Sequence, residues 1–350
     1  MPPERRNSEQ TDPTDPLRPR LALTVLLWCS LVGLNACASL PPAPPSPKGE
    51  TVYRSQNYIV YTGAGQRSTA ELADEFLGDA QKSWMIEEAN TKGDLEGGGA
   101  IVIPLKIRNK GGLNRKGFQA VPVLTYHRFG DNCDSPLCMP AEVFEAQLRY
   151  LKKNGYHSVS PAEMLEFLQY RRALPKKSVW ITMDDGYRST YQVAYPLLKK
   201  YGFTATLFIY TDFVGASRLA VTWSQLKEMQ ANGFTIGSHT MTHSDLTKPR
   251  PEESEVEFIK RVRRELEGSK RIIDKKLQQD TFVLAYPFGY YDRRAINLAQ
   301  EAGYIMAASV RRGGNPFFAN PLALKRDQVL KRDMDTFASR LKTFYPLALE

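Results

Sequence analysis

Residues 179–187 read VWITMDDGY, an apolar run of strand length that leads directly into two acidic residues and a glycine. Similar apolar runs recur from residue 120 onward, at residues 121–126, 157–159, 179–183, 205–210, 234–238, 282–286 and 304–310. Helices are predicted between them at residues 141–153, 162–172, 189–201, 224–232, 252–277 and 293–302. Strands that alternate with helices predict an α/β fold with a parallel sheet. Seven such runs favour a distorted (β/α)7-type barrel over an open sheet.

Polar residues follow three of these predicted strands at the points where the strands end. The residues are His127 after the first strand, Asp184 and Asp185 after the third, and His239 and His243 after the fifth. In a β/α barrel the catalytic side chains lie at the carboxyl ends of the strands, so we expect these residues to meet at one rim. The fourth histidine of the chain, His157, begins a strand and is expected at the opposite end, as an ordinary surface or core residue.

The spacing of His239 and His243 predicts a metal site. Two histidines four residues apart fall on one face of a helical turn, and one carboxylate would complete a facial ligand set with open positions. Imidazole and carboxylate ligands suit zinc, so the expected cofactor is a divalent metal ion, with Zn²⁺ favoured. Asp184 and Asp185 would point to opposite faces of a regular strand, but a turn at Gly186 lets both approach one centre. One carboxylate can then bind the metal while the other acts as a general base.

Three motifs resemble a known enzyme family. ITMDDGY (181–187), GSHTMTH (237–243) and AYPFGYYD (285–292) resemble the first three motifs of the polysaccharide deacetylases, which form carbohydrate esterase family four and are also called the nodulation-factor deacetylase homology domain. The resemblance covers roughly residues 118–335. PVLTYHRFG (122–130) and GYHSVS (155–160) further resemble the branch that includes the biofilm poly-N-acetylglucosamine deacetylases.

The resemblance implies a role for each matching residue. Asp184 would be the catalytic base, and Asp185, His239 and His243 would bind a divalent metal ion, usually zinc. The backbone N–H of Phe288 would contribute to the oxyanion hole. The implied reaction is the removal of N-acetyl groups from N-acetylglucosamine units of an envelope or extracellular polysaccharide. Poly-N-acetylglucosamine is the favoured substrate, and peptidoglycan is the next.

Two departures from the family pattern bear on activity. The third motif usually has an arginine that holds the catalytic aspartate, and this chain has Ala285 there; Arg326, in LKRDQV, is the candidate replacement. The late Leu-x-His motif that supplies the general acid is also missing, because no histidine follows His243. In the biofilm branch the early Tyr-His motif supplies this acid, which implies His127. The alternative function is a catalytically inactive, membrane-anchored glycan-binding protein.

The first 36 residues predict an export signal. Residues 21–36, LALTVLLWCSLVGLNA, form an apolar run that is shorter than the roughly 20 residues of a membrane span. The run ends at LNAC (34–37), which resembles a bacterial lipoprotein signal with lipidation at Cys37, although cleavage at Ala36-Cys37-Ala38 would give a secreted protein instead. A proline-rich tether (37–50) follows. We expect a lipid-anchored membrane protein of the bacterial cell envelope that faces the periplasm or the exterior.

Residues 51–106 predict a small βααβ domain that resembles a degenerate LysM module, a glycan-binding fold for N-acetylglucosamine polymers. The matching features are YIVYTGAG (58–65), Asn90 and GGAIVIP (98–104). The alternative is a structural appendage without binding function. A linker (107–117) then leads into the deacetylase domain (118–350).

The cysteines and the net charge indicate which cross-links and which partners to expect. After export only Cys133 and Cys138 remain, and in an oxidising compartment they are a candidate loop disulfide. The net charge of +9 is spread over mixed-charge stretches that are typical of solvated helix faces, so no nucleic-acid partner is expected. The predicted partners are the polysaccharide and the lipid anchor, and a monomer is the expected state.

Overall fold

The computed structural model describes residues 51–63, 67–97, 99–131 and 133–347. The predicted signal peptide, the predicted lipidation site Cys37 and the predicted tether lie outside the described residues. The first strands are β1 (Thr51–Arg54), β2 (Tyr58–Thr62), β3 (Ile101–Pro104), β4 (Gly117–Val121), β5 (Val123–Tyr126), β6 (Arg128–Gly130), β7 (Cys138–Pro140) and β8 (His157–Ser158). They are followed by β9 (Ser178–Met183), β10 (Thr206–Ile209), β11 (Thr235–Ser238), β12 (Val283–Ala285), β13 (Met306–Ala308), β14 (Asn315–Pro316), β15 (Asp327–Gln328) and β16 (Phe344–Pro346).

The helices are α1 (Thr69–Leu77), α2 (Ser83–Ala89), α3 (Lys92–Glu96), α4 (Ala141–Lys153), α5 (Pro161–Leu168), α6 (Tyr195–Tyr201), α7 (Trp223–Ala231), α8 (Glu255–Leu277), α9 (Arg293–Glu301) and α10 (Met334–Ser339). Helix α4 has the predicted bounds. Helix α8 begins three residues later than predicted, because Ser254 and Glu257 form a capping box that fixes its first turn. Among the described residues, none of the helices has the length and apolarity needed to cross a bilayer.

A parallel sheet forms the centre of the catalytic domain. Its strands follow the order β13-β12-β11-β10-β9-β5-β15, and β8 pairs with the first residues of β9. All residues of β9 are buried, as expected for a strand that is covered on both faces. Each of the seven predicted strands overlaps an observed one, which confirms the predicted barrel-type α/β fold.

A short segment that was not predicted as a strand closes the sheet. The N–H of Leu324 donates to the carbonyl of Ala307 on β13 at 2.9 Å, and further along the same segment the N–H of Val329 donates to Thr125 on β5 at 3.0 Å. Residues 324–329 therefore bond to both outer strands of the sheet. Their backbone places Arg326 inside the barrel, where its side chain is fully buried.

The amino-terminal domain contains the predicted strand, two helices and strand as β2, α1, α2 and β3, and it has two elements that were not predicted, the strand β1 and the short helix α3. Strands β1, β2 and β3 form an antiparallel sheet, and apolar residues of this sheet and of α1 and α2 form a separate small core. Asn90 joins the end of α2 to β3, because its side chain bonds to both backbone groups of Val102 at 2.8 Å. This contact explains Asn90 structurally, and the resemblance to LysM stays a prediction.

The domain contacts the end of the barrel where the strands begin. The N–H of Lys176, which precedes β9, donates to Glu88 of α2 at 2.6 Å. His157 lies at this same end, at the start of β8, far along the strands from the other three histidines. A disulfide joins Cys133, in the loop after β6, to Cys138, the first residue of β7.

Candidate active site

One cleft at the carboxyl ends of the strands collects all the predicted catalytic and metal-binding side chains. Its lining includes His127, Asp184, Asp185, His239, His243 and Phe288. The sequence places these residues after β5, β9, β11 and β12, and the parallel sheet brings the four strand ends together. The lining also contains Leu137, Tyr286, Gly289, Val310 and Gln328, which were not predicted.

Asp185, His239 and His243 form a candidate metal site. One ligand atom from each residue lies within 4.8 Å of the other two, and Asp185 Oδ1 is 3.7 Å from His239 Nε2 and 3.6 Å from His243 Nε2. His239 Nδ1 lies 2.7 Å from the carbonyl oxygen of Ala285, which orients the ring and leaves Nε2 for the cleft. Burial lowers the pKa of His239 to about 3, so its imidazole is neutral and able to act as a ligand. The donor set therefore fits a divalent ion such as Zn²⁺.

The two histidines do not lie on a helical turn, and that prediction was wrong. Residues 239–243 form a loop after β11, in which Thr240 and His243 have positive φ values of 72° and 61°. Within the loop the N–H of Thr240 donates to Ser238 Oγ at 3.2 Å, and the N–H of His243 donates to Thr240 Oγ1 at 3.1 Å. Such local side-chain acceptors compete with helical hydrogen bonds. The loop nevertheless brings the two rings to a centroid distance of 4.7 Å.

The turn predicted at Gly186 also involves its neighbour. Asp185 has a φ of 74° and Gly186 a φ of 83°, so the chain reverses over both residues. A Cβ atom at position 186 would lie only 3.0 Å from the side chain of Ile209, which leaves little room for a larger residue. This turn holds Asp185 in the cleft. Asp184 also lines the cleft but is more deeply buried, with only 2% of its surface exposed.

Arg326 takes the place that the resemblance assigns to an arginine at position 285. Its guanidinium donates to both carboxylate oxygens of Asp184, at 2.8 and 2.9 Å, and also to the carbonyl of Ser309 at 2.8 Å. Burial opposes ionisation of Asp184, but the charge and the hydrogen bonds of Arg326 outweigh it and lower the pKa of Asp184 to about 2. Asp184 is thus a carboxylate at any pH near neutral.

Asp185 has the opposite protonation tendency. Burial and the neighbouring Asp184 charge raise the pKa of Asp185 to about 7. Two adjacent carboxylates in a buried cleft repel each other, and a cation between Asp185 and the histidines would relieve that repulsion. The electrostatics of the free protein therefore favour cation binding at this position.

His127 and Phe288 lie on two sides of the cleft. Burial lowers the pKa of His127, while the Asp184 charge acts in the opposite sense. Phe288 has a φ of 58°, an uncommon conformation for a large side chain, and its ring packs 4.6 Å from the ring of His243.

Gln328 is the polar lining residue that sequence reasoning could have found. It ends β15, and the same rule of polar residues after parallel strands applies to it. The two-residue strand shows no periodicity of its own, so the segment was not recognised as part of the sheet.

Comparisons with known proteins agree with this geometry. Residues 171–307 match the family model described as polysaccharide deacetylase. The chain is 34% identical over 209 residues to the Bacillus subtilis (strain 168) protein named "Putative polysaccharide deacetylase YxkH", covering 60% of this chain and 71% of that protein. It is 32% identical over 171 residues to the poly-beta-1,6-N-acetyl-D-glucosamine N-deacetylase of Staphylococcus aureus (strain MRSA252), covering 46% of this chain and 57% of that relative. Among solved structures, the Streptococcus pyogenes deacetylase PplD in complex with acetate matches with a TM-score of 0.57 and 29% identity, covering 64% of this chain and 98% of that one.

Proposed function

Because this chain belongs to the polysaccharide deacetylase family, we propose that it is a metal-dependent hydrolase that removes N-acetyl groups from N-acetylglucosamine units of an envelope or extracellular polysaccharide. The observation that carries the proposal is the position of Asp184, which Arg326 holds ionised directly beside the Asp185, His239 and His243 set. A base beside a metal site is the arrangement that amide hydrolysis by water requires. The similarity to the staphylococcal relative favours poly-N-acetylglucosamine as the substrate, with peptidoglycan next.

The metal ion would be held by Asp185, His239 and His243. When bound, a divalent ion supplies Lewis acidity, which polarises an acetamide carbonyl and lowers the pKa of water from about 15.7 toward about 7. We propose zinc, since two imidazoles and one carboxylate match its ligand preferences.

Three residues of the chain would handle protons and charge during the reaction. Asp184 accepts a proton from the attacking water as the water oxygen bonds to the acetamide carbon. The backbone N–H of Phe288 stabilises the negative charge that develops on the carbonyl oxygen. When the C–N bond breaks, His127 donates a proton to the departing sugar amine, which leaves acetate and a glucosamine unit. General-base help of this kind contributes about 10² to 10⁴ in rate.

The alternative function, a catalytically inactive glycan-binding protein, is suggested partly by Ala285, which stands where the family has an arginine that holds the catalytic aspartate. Arg326 holds the carboxylate that a family arginine would hold, and its two bonds to Asp184 keep the candidate base ionised. One of the two departures from the family pattern is thereby compensated, which supports catalysis over binding alone.

The location of the enzyme is proposed from the sequence only. A lipid on Cys37 followed by the tether would hold the catalytic domain at a membrane of the cell envelope, near an exported polysaccharide. Labelling with a radioactive or alkyne fatty acid should mark the wild-type protein and leave Cys37→Ser unlabelled. Label on the Cys37→Ser protein would place the lipid elsewhere.

The function is tested by acetate release from defined oligomers. We expect the zinc-loaded protein to release acetate from β-1,6-linked N-acetylglucosamine oligomers faster than from β-1,4-linked oligomers or peptidoglycan. Asp184→Asn should bind zinc normally and release no acetate, because it loses the base but none of the metal ligands. Loss of zinc from Asp184→Asn would reverse the two aspartate roles, and absence of acetate from every substrate would contradict the proposed function.

A further inference from the structure

We infer that Glu265 is a positioning residue for the metal site, because its carboxylate anchors the loop that carries His239 and His243. The inference rests on the metal-dependent function proposed above. Glu265 lies on α8 and is 1% exposed. Its Oε2 accepts hydrogen bonds from the backbone N–H groups of Met241 and Thr242, both at 2.9 Å, and its Oε1 accepts one from Thr242 Oγ1 at 2.7 Å. All three bonds fall between the two histidines.

The rest of the loop is bound to the same face of α8. Arg261, one turn before Glu265 and 5% exposed, donates to the carbonyl oxygens of Asp245 at 3.2 Å and Lys248 at 3.0 Å. One turn after Glu265, Gly268 lies so close to Met241 that an added methyl group would overlap its sulfur atom. The Glu265 carboxylate thus binds backbone amides that precede His243 in the chain, and the Arg261 guanidinium binds backbone carbonyls that follow it.

The hydrogen bonds from the loop are what stabilise the buried carboxylate of Glu265. A buried carboxylate is costly unless it is paired or hydrogen-bonded. Among the described residues no ion pair includes Glu265, whereas Arg261 is paired with Glu253 at 2.8 Å. The loop, for its part, contains two left-handed residues and lacks the ladder of a helix or strand. The bonds to Glu265 therefore fix the amide planes that set the direction of both imidazoles.

The test measures zinc affinity, which does not depend on turnover. Glu265→Ala should weaken zinc binding by about 10-fold to 100-fold in competition with a chromophoric chelator, the usual effect of losing an outer partner of metal ligands. Glu265→Gln should stay within about threefold of the wild type, because its carbonyl can accept both N–H groups and its amide can donate to Thr242 Oγ1. Glu267→Ala is the matched control, since Glu267 is exposed on α8 and, within the described part of the chain, pairs only with Arg263; its zinc affinity should not change.

Hydrogen exchange provides a direct reading of the loop in the metal-free protein. The Met241 and Thr242 amides should exchange slowly in the wild type and in Glu265→Gln, and rapidly in Glu265→Ala. If Glu265→Ala does not fold, Thr242→Val removes one of the three bonds and should weaken zinc binding by about threefold. Wild-type zinc affinity in folded Glu265→Ala overturns the inference, and so does wild-type zinc affinity in Thr242→Val where Glu265→Ala does not fold. Zinc-loaded wild type that releases no acetate contradicts the proposed function and leaves this inference standing.

A different observation supports a second proposal, which also rests on the proposed function. A groove adjoins the cleft, and we propose that it binds the neighbouring sugar unit and repels that unit once it has been deacetylated. Phe288, Gly289 and Val310 line both the groove and the cleft. The groove is further lined by Thr247, Lys248, Tyr290, Tyr291, Asp292 and Arg311. Phe288 and Tyr290 are 52% and 53% exposed, and such aromatic faces suit the apolar face of a sugar ring.

The charge of this groove is positive. Lys248 Nζ lies 5.9 Å from the ring centre of Tyr290, and the Arg311 guanidinium lies 4.7 Å from that of Tyr291. Neither cation has a carboxylate within 4 Å in the part of the chain that the structure describes. Asp292 caps α9 through the N–H of Ala295 at 2.7 Å and faces Arg294 at 3.8 Å, so other groups already balance its charge.

The substrate and the product differ by one charge. An N-acetylglucosamine unit is neutral, whereas the amine of a glucosamine unit is an ammonium group in mildly acidic solution. At a separation of about 7 Å in water, repulsion from each cation disfavours an ammonium group by about threefold at low ionic strength. A unit whose neighbour is already deacetylated should therefore be a poorer substrate, and the product should contain few adjacent glucosamine pairs.

The test is the pattern of the product formed in mildly acidic buffer, measured by NMR at a fixed extent of deacetylation. The wild type should give fewer adjacent glucosamine pairs than a random distribution, and Lys248→Gln/Arg311→Gln should shift the count toward random. Lys275→Gln/Lys276→Gln, in the last turn of α8, is the control and should resemble the wild type. Added salt, at about 0.5 M, should also shift the wild-type pattern toward random. A random pattern from active wild type, or no change in the groove variant, overturns this proposal, whereas the absence of acetate contradicts the proposed function.

Discussion

Asp184 is a buried carboxylate that meets one buried guanidinium, and this pair sets the protonation state of the candidate base. The two oxygens of Asp184 and the two terminal nitrogens of Arg326 form parallel hydrogen bonds, the arrangement that holds a carboxylate most firmly. Folding lowers the pKa of Asp184 from 3.8 to about 2, so the pair stabilises the folded state above pH 4, and this contribution is lost as the pH falls toward 2.

Arg326→Met should affect both stability and activity. Without the guanidinium, burial acts unopposed and raises the pKa of Asp184, so the base becomes protonated and activity declines at a higher pH than in the wild type. Loss of one partner of a buried ion pair typically costs about 3 to 5 kcal/mol in the free energy of unfolding. We expect at least about a 100-fold drop in kcat at neutral pH, measured by acetate release, with partial recovery at alkaline pH.

Arg326→Lys is the informative companion to this change. Lysine keeps the charge but cannot form the two parallel bonds, so its activity should lie between those of the wild type and Arg326→Met. Wild-type kcat in a folded, zinc-loaded Arg326→Met protein would show that Asp184 needs no partner.

His127 is the candidate general acid, and its position in the cleft distinguishes it from His157. His127→Ala should lower kcat by about 10² or more with little change in zinc content, because His127 is not among the three metal-site residues. His157→Ala is the matched control at the opposite end of the barrel and should keep wild-type kcat. Near-normal turnover in His127→Ala, measured by acetate release, would assign the acid role to another group.

At the scale of elements, helix α8 supports the metal site from outside the barrel. Its residues Arg261, Glu265 and Gly268 follow one another at intervals of one turn and face the loop after β11. The sequence predicted helix α8 but not its contacts with the loop after β11, because charged residues in a mixed-charge helix are usually exposed to solvent. Only the packing shows that two of these charges are buried.

Gly268→Ala tests whether the fit between α8 and the loop is tight. An added methyl group would overlap the Met241 sulfur, so either the Met241 side chain or the loop must move. Overpacking of this kind typically costs about 1 to 3 kcal/mol in the free energy of unfolding. We expect a lower melting temperature and weaker zinc binding, each compared with Glu267→Ala. An unchanged zinc affinity would mean that Met241 moves alone and the histidines keep their positions.

The elements that the sequence predicts differ from those it does not predict in how strongly their own residues indicate secondary structure. Long apolar runs such as 179–183 are visible as strands because every residue is buried. Segment 324–329 was missed because its pairing with β5 and β13 depends on distant residues. The helical turn expected at 239–243 was wrong because Ser238 and Thr240 side chains bind the loop backbone. The gathering of the catalytic and metal-binding side chains in one cleft could be predicted, since barrel topology brings strand ends together, but five other lining residues were not predicted.

At the scale of the whole molecule, the small domain and the cleft lie at opposite ends of the barrel. The Glu88 contact places the domain beside the start of β9, whereas Asp184 follows the end of that strand. A glycan held by the domain and an acetyl group in the cleft would therefore belong to different stretches of one polymer. The domain, if it binds glycan, would concentrate polymer near the enzyme rather than position the reacting unit.

Metal binding should be visible in the stability of the entire catalytic domain. Asp184 and Asp185 repel each other in the metal-free protein, and the three candidate ligands follow β9 and β11, which are joined through β10. A ligand that binds only the folded state stabilises it by about 2.7 kcal/mol at a concentration 100 times its Kd. For a domain of this size the melting temperature should rise by roughly 5 to 10 °C, measured by calorimetry with and without zinc.

Asp185→Asn separates the metal effect from the effect of the carboxylate pair. The substitution removes a ligand and also the repulsion, so its metal-free protein should melt at or above the wild-type metal-free temperature. Zinc should then raise the melting temperature of Asp185→Asn far less than that of the wild type. His157→Ala, which keeps all three ligands, should show the full shift. If zinc shifts the wild type and Asp185→Asn equally, the ion binds elsewhere, and Asp185 would have to act in the reaction without holding a metal.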